Sequence, residues 1–174
     1  MLRPVRIVLA ACVLGAALPV IAANVYPEAS VKAAFVLRFA DYVEWPQAPE
    51  RNFVIAVLGR GDMAASLQEL ATRPAHGRPV QVRRIRHAED ARDAQILFVG
   101  NDHRSGSLRA VLQAVSRRGV LIVTEEEAGI ESGSTINFLV ADGRVRFEIS
   151  AGAASRAGLK VSSELLGVAA RVVE

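Results

Sequence analysis

Four groups of residues have the types and spacing from which chemistry could be built. Gly59, Gly61 and Ala64 form a G-x-G-x-x-A turn between an apolar run and a helical pattern, and Arg84 and Arg86 lie on the run that follows. Such a turn brings backbone N–H groups up to a pyrophosphate at a helix N-terminus, and an arginine on the next strand can receive a ribose phosphate. The competing reading is a tight turn capped by Asp62, which suits a chain too short to add a substrate domain. Glu125, Glu126, Glu127 and Glu131 follow a second apolar run. They carry charge enough for a cation or for proton exchange, but acid and base roles need two carboxyls in different environments, and neighbouring glutamates on a solvated loop share one. Ser105, Ser107 and Ser134 stand in Gly/Ser turns without the G-x-S-x-G elbow of a serine nucleophile. His76, His87 and His103 lack the spacing of a ligand pair, and the one cysteine is Cys12, so neither a metal nor another cofactor is expected.

The elements that would position these groups can be read from hydrophobic period. Val31, Phe35, Phe39, Tyr42 and Val43 recur at helical spacing between Pro27 and Glu44, with Lys32, Arg38 and Asp41 between them, which predicts an amphipathic helix stopped before Pro46. Short apolar runs at Phe53 to Leu58, Val80 to Ile85, Ile96 to Val99 and Val120 to Val123 read as strands. Helices from Asp62 to about Ala71 and from Leu108 to Val115 alternate with them. Uninterrupted apolar strands alternating with helices predict a mainly parallel sheet covered on both faces. After Gly133 the period becomes two: Ile136, Phe138 and Val140, then the turn pair Asp142 and Gly143, then Val145, Phe147 and Ile149. That is an antiparallel hairpin with Arg144, Arg146 and Glu148 on the face opposite Phe147. A helical tail is expected from about Ala151, punctuated by Gly158 and restarted near Ser162. The fold expected is therefore α/β, a three-layer domain with a mainly parallel central sheet, a C-terminal antiparallel hairpin and a helical tail.

Arg3 and Arg6 followed by the apolar run Ile7 to Ala22, with small residues at Ala22 and Ala23, have the form of a secretion leader cut before Asn24. A retained anchor and a lipidated Cys12 in the box Leu9 to Cys12 are the competing readings. Cleavage would leave one domain, residues 24–174, of about 150 residues, enough for one buried core. It would also remove two of the 21 basic residues, leaving 19 against 18 acidic ones, so the nominal pI of 9.6 overstates the mature charge. That balance excludes the broad positive field of a nonspecific nucleic-acid binder. The cluster Arg83, Arg84 and Arg86 reads as a charged strand edge. Aromatic residues Tyr26, Tyr42, Trp45 and Phe138 are candidates for either core or partner surface.

Several blocks resemble the YfiR-like periplasmic proteins: VKAAFVLRFADYVEWP from Val31 to Pro46, VIAVLG from Val54, AQILFVG from Ala94, INF at Ile136, then GRVRFEIS and AGLKVSSELL. Relatives often carry Asn at the position of Ser150, an aromatic at that of Ile130, and disulfide cysteines that the mature part of this chain lacks. The resemblance implies a compact, usually dimeric α/β domain that binds the periplasmic sensor of a YfiN-type inner-membrane diguanylate cyclase and holds it inactive. A YfiB-type outer-membrane lipoprotein is the implied antagonist. On this reading the chain is a periplasmic regulatory protein and not an enzyme, with no membrane insertion after cleavage. The residues expected to meet the partner are Trp45, Phe138, Arg144, Arg146 and Glu148, with Arg156 and Lys160 on the tail. The alternative is a periplasmic small-ligand module using the crevice near Gly59 to Asp62 and Gly100 to His103.

Overall fold

The computed structural model describes residues 27–47, 51–104, 106–115 and 119–174. The expected leader with its cleavage position and Cys12, together with Tyr26 and Ser105, lies outside the described residues. The first helix, α1 (Glu28–Tyr42), starts directly after Pro27, whose fixed φ leads into a helix, and Glu28 in its first turn complements the positive end of the helix dipole. Its inward face carries Ala33, Val36, Phe39 and Ala40. At Val43 the chain becomes extended and forms a two-residue strand, β1 (Val43–Glu44), ahead of Pro46.

Then come β2 (Phe53–Leu58), α2 (Gly61–Leu70), β3 (Val80–Ile85), a short 3-10 turn (Ala88–Ala91), β4 (Ile96–Val99), α3 (Leu108–Val115), β5 (Leu121–Thr124) and α4 (Gly129–Ser132). The hairpin is β6 (Ile136–Ala141) and β7 (Arg144–Ser150), followed by α5 (Ala151–Arg156), β8 (Lys160–Val161), α6 (Ser163–Val168) and β9 (Arg171–Val173). Seven strands make one sheet in the order β3-β2-β4-β5-β6-β7-β9, with β1 and β8 paired separately. From β3 to β6 all neighbours are parallel, β7 runs antiparallel to β6, and β9 runs parallel to β7.

The uninterrupted apolar strands feed two cores. In β2, Phe53, Ile55 and Val57 join the core under α1 and α2, while Val54, Ala56 and Leu58 join the one under α3. Strands buried on both faces carry no polar alternation, as the sequence pattern requires. The aromatic centre of the first core is Phe39, edge-on to Phe147 with ring centroids 5.1 Å apart and stacked on Phe138 at 5.8 Å. The hairpin turns as expected: Asp142 and Gly143 both have positive φ, 52° and 68°, the paired left-handed conformation whose twist matches the flanking strands.

Two expectations need correction. The tail is not purely helical, because β8 pairs with β1 through Val43 and Val161, and β9 completes the large sheet beside β7. Asp62 does not cap α2: Arg60 is the N-cap residue, at φ 28°, and Asp62 lies inside the first turn, its Oδ1 accepting from Met63 N at 2.9 Å and from Arg60 Nε at 2.8 Å. The caps that do form are at Ser150, accepting from Ala153 N at 3.1 Å, and Ser162, accepting from Leu165 N at 3.3 Å. Replacing Ser150 with alanine is expected to lower unfolding stability by about 1 kcal/mol, whereas asparagine, an equally good cap, keeps most of it. Urea titration of the two variants checks this.

Candidate functional site

One row of register partners runs straight across the sheet near the carboxyl ends of the parallel strands. Ile85, Leu58 and Val99 on β3, β2 and β4 are followed by Thr124, Asn137, Glu148 and Arg171 on β5, β6, β7 and β9. Its first three residues are apolar and lie under α3; the other four form a polar ladder, buried from Thr124 to Glu148 and exposed at Arg171. Thr124 Oγ1 donates to Asn137 Oδ1 at 2.7 Å, and the backbone N–H of Glu126 donates to the same oxygen at 3.1 Å. Asn137 Nδ2 donates to Glu148 Oε1 at 3.2 Å, and Arg171 closes the ladder on Glu148 Oε2 through Nε at 2.7 Å and Nη2 at 2.6 Å. Each buried polar atom in it thus has a partner, which is the condition for a polar group to remain in a core.

A second buried group stands over the end of the same strands. Lys32, only 4% exposed, places Nζ 2.6 Å from Glu125 Oε2, contacts Glu28 one helical turn before it, and lies 6.0 Å from the centre of the Phe138 ring. The Glu125 side chain is 2% exposed and also meets Arg60 Nη1 at 3.4 Å. Lys32 was expected on the polar face of α1, and the glutamates on a solvated loop. Instead the β5 end turns Glu125 inward, where two cations compensate its desolvation; Glu127 alone of the three consecutive glutamates is exposed. Glu126 Oε1 lies 3.0 Å from His103 Nε2. Glu28, Lys32, Glu126, Asn137, Glu148 and Arg171 line a cleft of about 470 Å³ above this group.

Carboxylates outnumber cations around the cleft, and beyond its walls two further carboxylates are held by arginines. Arg60 holds the Asp62 carboxyl below its ordinary value through a side-chain hydrogen bond, and Asp62 raises the arginine in turn. At β3, hydrogen bonding from Arg83 lowers Asp93 in the same way. A carboxyl lowered on folding adds stability above its ordinary pKa that is lost as pH falls through the lowered value. Asp62 and Asp93 are more than half exposed, so solvent screening keeps both contributions small. What the cleft offers is a fixed, mostly acidic surface whose inner charges are engaged in pairs.

The ligand crevice suggested by the sequence is filled by the protein itself. The strand order reverses between β2 and β4, and that switch point is where open α/β sheets take ligands. There Asp102 Oδ1 accepts from Arg60 N at 2.7 Å, the kind of amide that a phosphate would need. A Cβ on Gly59, at φ 80°, would meet Asp102 Oδ1 at 2.4 Å, and one on Gly100 would meet Arg60 Cγ at 2.2 Å. The G-x-G-x-x-A turn is therefore a packed turn, and Arg84 and Arg86 belong to β3 and the segment after it, at one edge of the sheet.

The seven residues expected to meet a partner do not form one patch. Arg144 and Arg146 are exposed at the hairpin, on the carboxyl-end side of the sheet. Phe138, 3% exposed, belongs to the aromatic core, and Glu148, 5% exposed, is committed to the ladder, so burial corrects the expectation that either presents a free surface. Trp45 is half-buried, edge-on to Phe53 at 5.1 Å, and its Nε1 donates to the Gln95 carbonyl at 3.1 Å. Lys160 pairs in register with Glu44 at the amino end of the sheet, and Arg156, also exposed, ends α5 nearby. The ladder itself was missed. Its sequence signal was polar Asn137 and Glu148 at hairpin positions whose register partners are also polar.

The model of the YfiR/HmsC-like family matches residues 29–170. The chain belongs to that family. The match runs from α1 to the segment before β9 and so includes both the Lys32 group and the hairpin. The YfiR/HmsC-like family is periplasmic and regulatory rather than catalytic. No curated protein matches the chain. Among solved structures, a conserved domain protein from Vibrio cholerae O1 biovar eltor aligns with a TM-score of 0.56 at 13% identity, covering 83% of this chain and 60% of that one. An ABC domain in complex with L-Trp from Streptococcus pneumoniae aligns with a TM-score of 0.53 at 10% identity, with the same two coverages. At these identities the likeness concerns the fold, and the chain spans 60% of the length of either protein. Among the described residues no helix is long and apolar enough to cross a membrane.

Proposed function

We propose that this YfiR/HmsC-like chain is exported, cleaved after Ala23, and works as a single periplasmic domain that represses an inner-membrane diguanylate cyclase. It does so without chemistry, by binding the periplasmic sensor domain of a YfiN-type cyclase more tightly in its inactive state. A ligand shifts such an equilibrium only by its differential affinity for the two states. The observation that carries this reading is the family match over residues 29–170. A homodimer is the acting form, and a YfiB-type outer-membrane lipoprotein is the antagonist that withdraws it.

The β6–β7 hairpin is the part of the surface best suited to the contact. Arg144 and Arg146 project from the same strand face, and among the described residues neither makes a hydrogen bond or an ion pair. Arginine is enriched at interface hot spots because its fork offers several donors at once. Lys160 and Arg156 at the other end, with Trp45 beside them, form a second group to substitute separately.

The test is intracellular cyclic di-GMP in cells with and without this gene, with the cyclase deleted as control. Deletion of the gene is expected to raise it, and the rise is expected to vanish in the cyclase mutant. The Arg144→Glu/Arg146→Glu variant is expected to weaken sensor binding by about 2 kcal/mol or more, roughly thirtyfold, and to reproduce the deletion with an unchanged melting temperature. An unchanged cyclic di-GMP level on deletion would end the repressor reading. Normal repression by the double variant would remove the hairpin from the interface.

A further inference from the structure

The helical layer over the α3 face of the sheet is incomplete. α3 covers β4 and β5, but beyond β5 the cover is only the single turn of α4 and the short α5, whose inward residues Ala153 and Ala157 are small. The volume they leave is a cavity of about 460 Å³, inside the range usual for small-molecule sites. Its floor is Leu112, Val120 and Ile122, all at most 2% exposed. Its rim carries exposed Gln113 on α3 and Arg156 on α5, and buried Thr135 before β6 is part of its wall.

Two features set this cavity apart from ordinary surface relief. It combines an apolar floor with one cation, whereas the carboxyl-end cleft is mostly acidic and its inner charges are paired. Arg156 is exposed and makes no hydrogen bond or ion pair among the described residues, although its Nη1 and the Glu174 backbone carbon both come near Gly152, 3.1 Å and 2.9 Å from where a Cβ there would stand.

From these we infer that the cavity between α3, α4 and α5 binds a small carboxylate with a compact apolar body. The body rests on Leu112, Val120 and Ile122, and the carboxylate meets the Arg156 guanidinium, whose planar fork matches it in two parallel hydrogen bonds. The site is at the opposite end of the sheet from the hairpin arginines and does not depend on the cyclase reading. A ligand there would tie α5 to α3 across the gap and stabilise the native state by mass action.

The experiment titrates the purified full chain with phenylacetate and octanoate, with phenylacetamide as the uncharged control, by calorimetry and by melting temperature. Saturable binding of at least one acid with a dissociation constant of about 1 mM or tighter is expected, and the amide is expected to bind at least about tenfold more weakly. Arg156→Gln should cost the acid about tenfold and abolish its advantage over the amide. Gln113→Trp, a change at an exposed rim position that leaves the core alone, should block the mouth and remove binding. The inference is overturned if neither acid saturates at concentrations about tenfold above that constant, or if Arg156→Gln binds the acid as tightly as the unaltered protein.

Discussion

Replacing Lys32 with methionine is expected to destabilise the protein by about 3 kcal/mol, and a second substitution, Glu125→Gln, is expected to recover over half of that loss. The reason is the asymmetry of a buried pair. Lys32 and Glu125 are both withdrawn from water, and the cation is within 2.6 Å of the carboxylate. Methionine fills the volume of the lysine stem but leaves Glu125 charged in a dry site, with only Arg60 at 3.4 Å to answer it. Glutamine at 125 removes the stranded charge and still accepts from the Asn101 N–H, which lies 3.3 Å from Glu125 Oε1. Chemical denaturation of the two variants decides the matter. Equal losses in single and double variants would show that Lys32 acts through packing against Phe138, not through its charge.

The second large effect comes from a single methyl group. Gly129→Ala is expected to cost about 2–4 kcal/mol, because a Cβ there would lie 2.3 Å from Asn137 Oδ1 and 2.4 Å from Thr124 Oγ1. To make room, the Asn137 amide must leave the Thr124 hydroxyl and the Glu126 N–H, and its own N–H would then no longer reach Glu148. Asn137→Ala alone breaks the same bonds and leaves a void. In the double variant the new methyl occupies part of that void, so its loss should fall at least about 1 kcal/mol short of the sum of the two singles. Strict additivity, read from thermal or urea unfolding of the four proteins, would mean that Gly129 and the ladder do not communicate.

What the sequence made legible and what it hid follow from one distinction. Elements whose burial is written in their own periodicity were readable: the apolar runs of β2, β4 and β5, the α3 helix, and the hairpin with its Asp142–Gly143 turn all form where the pattern puts them. Strands of two or three residues carry no period, so β1, β8 and β9 were invisible until their partners were in place. Charged residues are read by default as solvent-facing, which put Lys32 and Glu125 on the surface, although they meet across 93 positions of sequence. The family resemblance was legible because it rests on contiguous blocks, Val31 to Pro46 at one end and GRVRFEIS with AGLKVSSELL at the other. The partner surface was not, since a sequence shows which side chains could bind but not which of them the core has already taken, as it has Phe138 and Glu148.

The position of Arg171 has a consequence for how the sheet comes apart. It lies on β9, an edge strand of three residues, yet it supplies the cation for buried Glu148 on the neighbouring strand β7. Short edge elements usually open locally at little cost to the rest of a domain. Here each release of β9 takes the guanidinium away from a carboxylate inside the domain, so fraying of the edge and the stranding of a buried charge are one event. β9 thereby acts as a seal on the ladder, and the integrity of that polar row is tied to how well β9 keeps to the sheet.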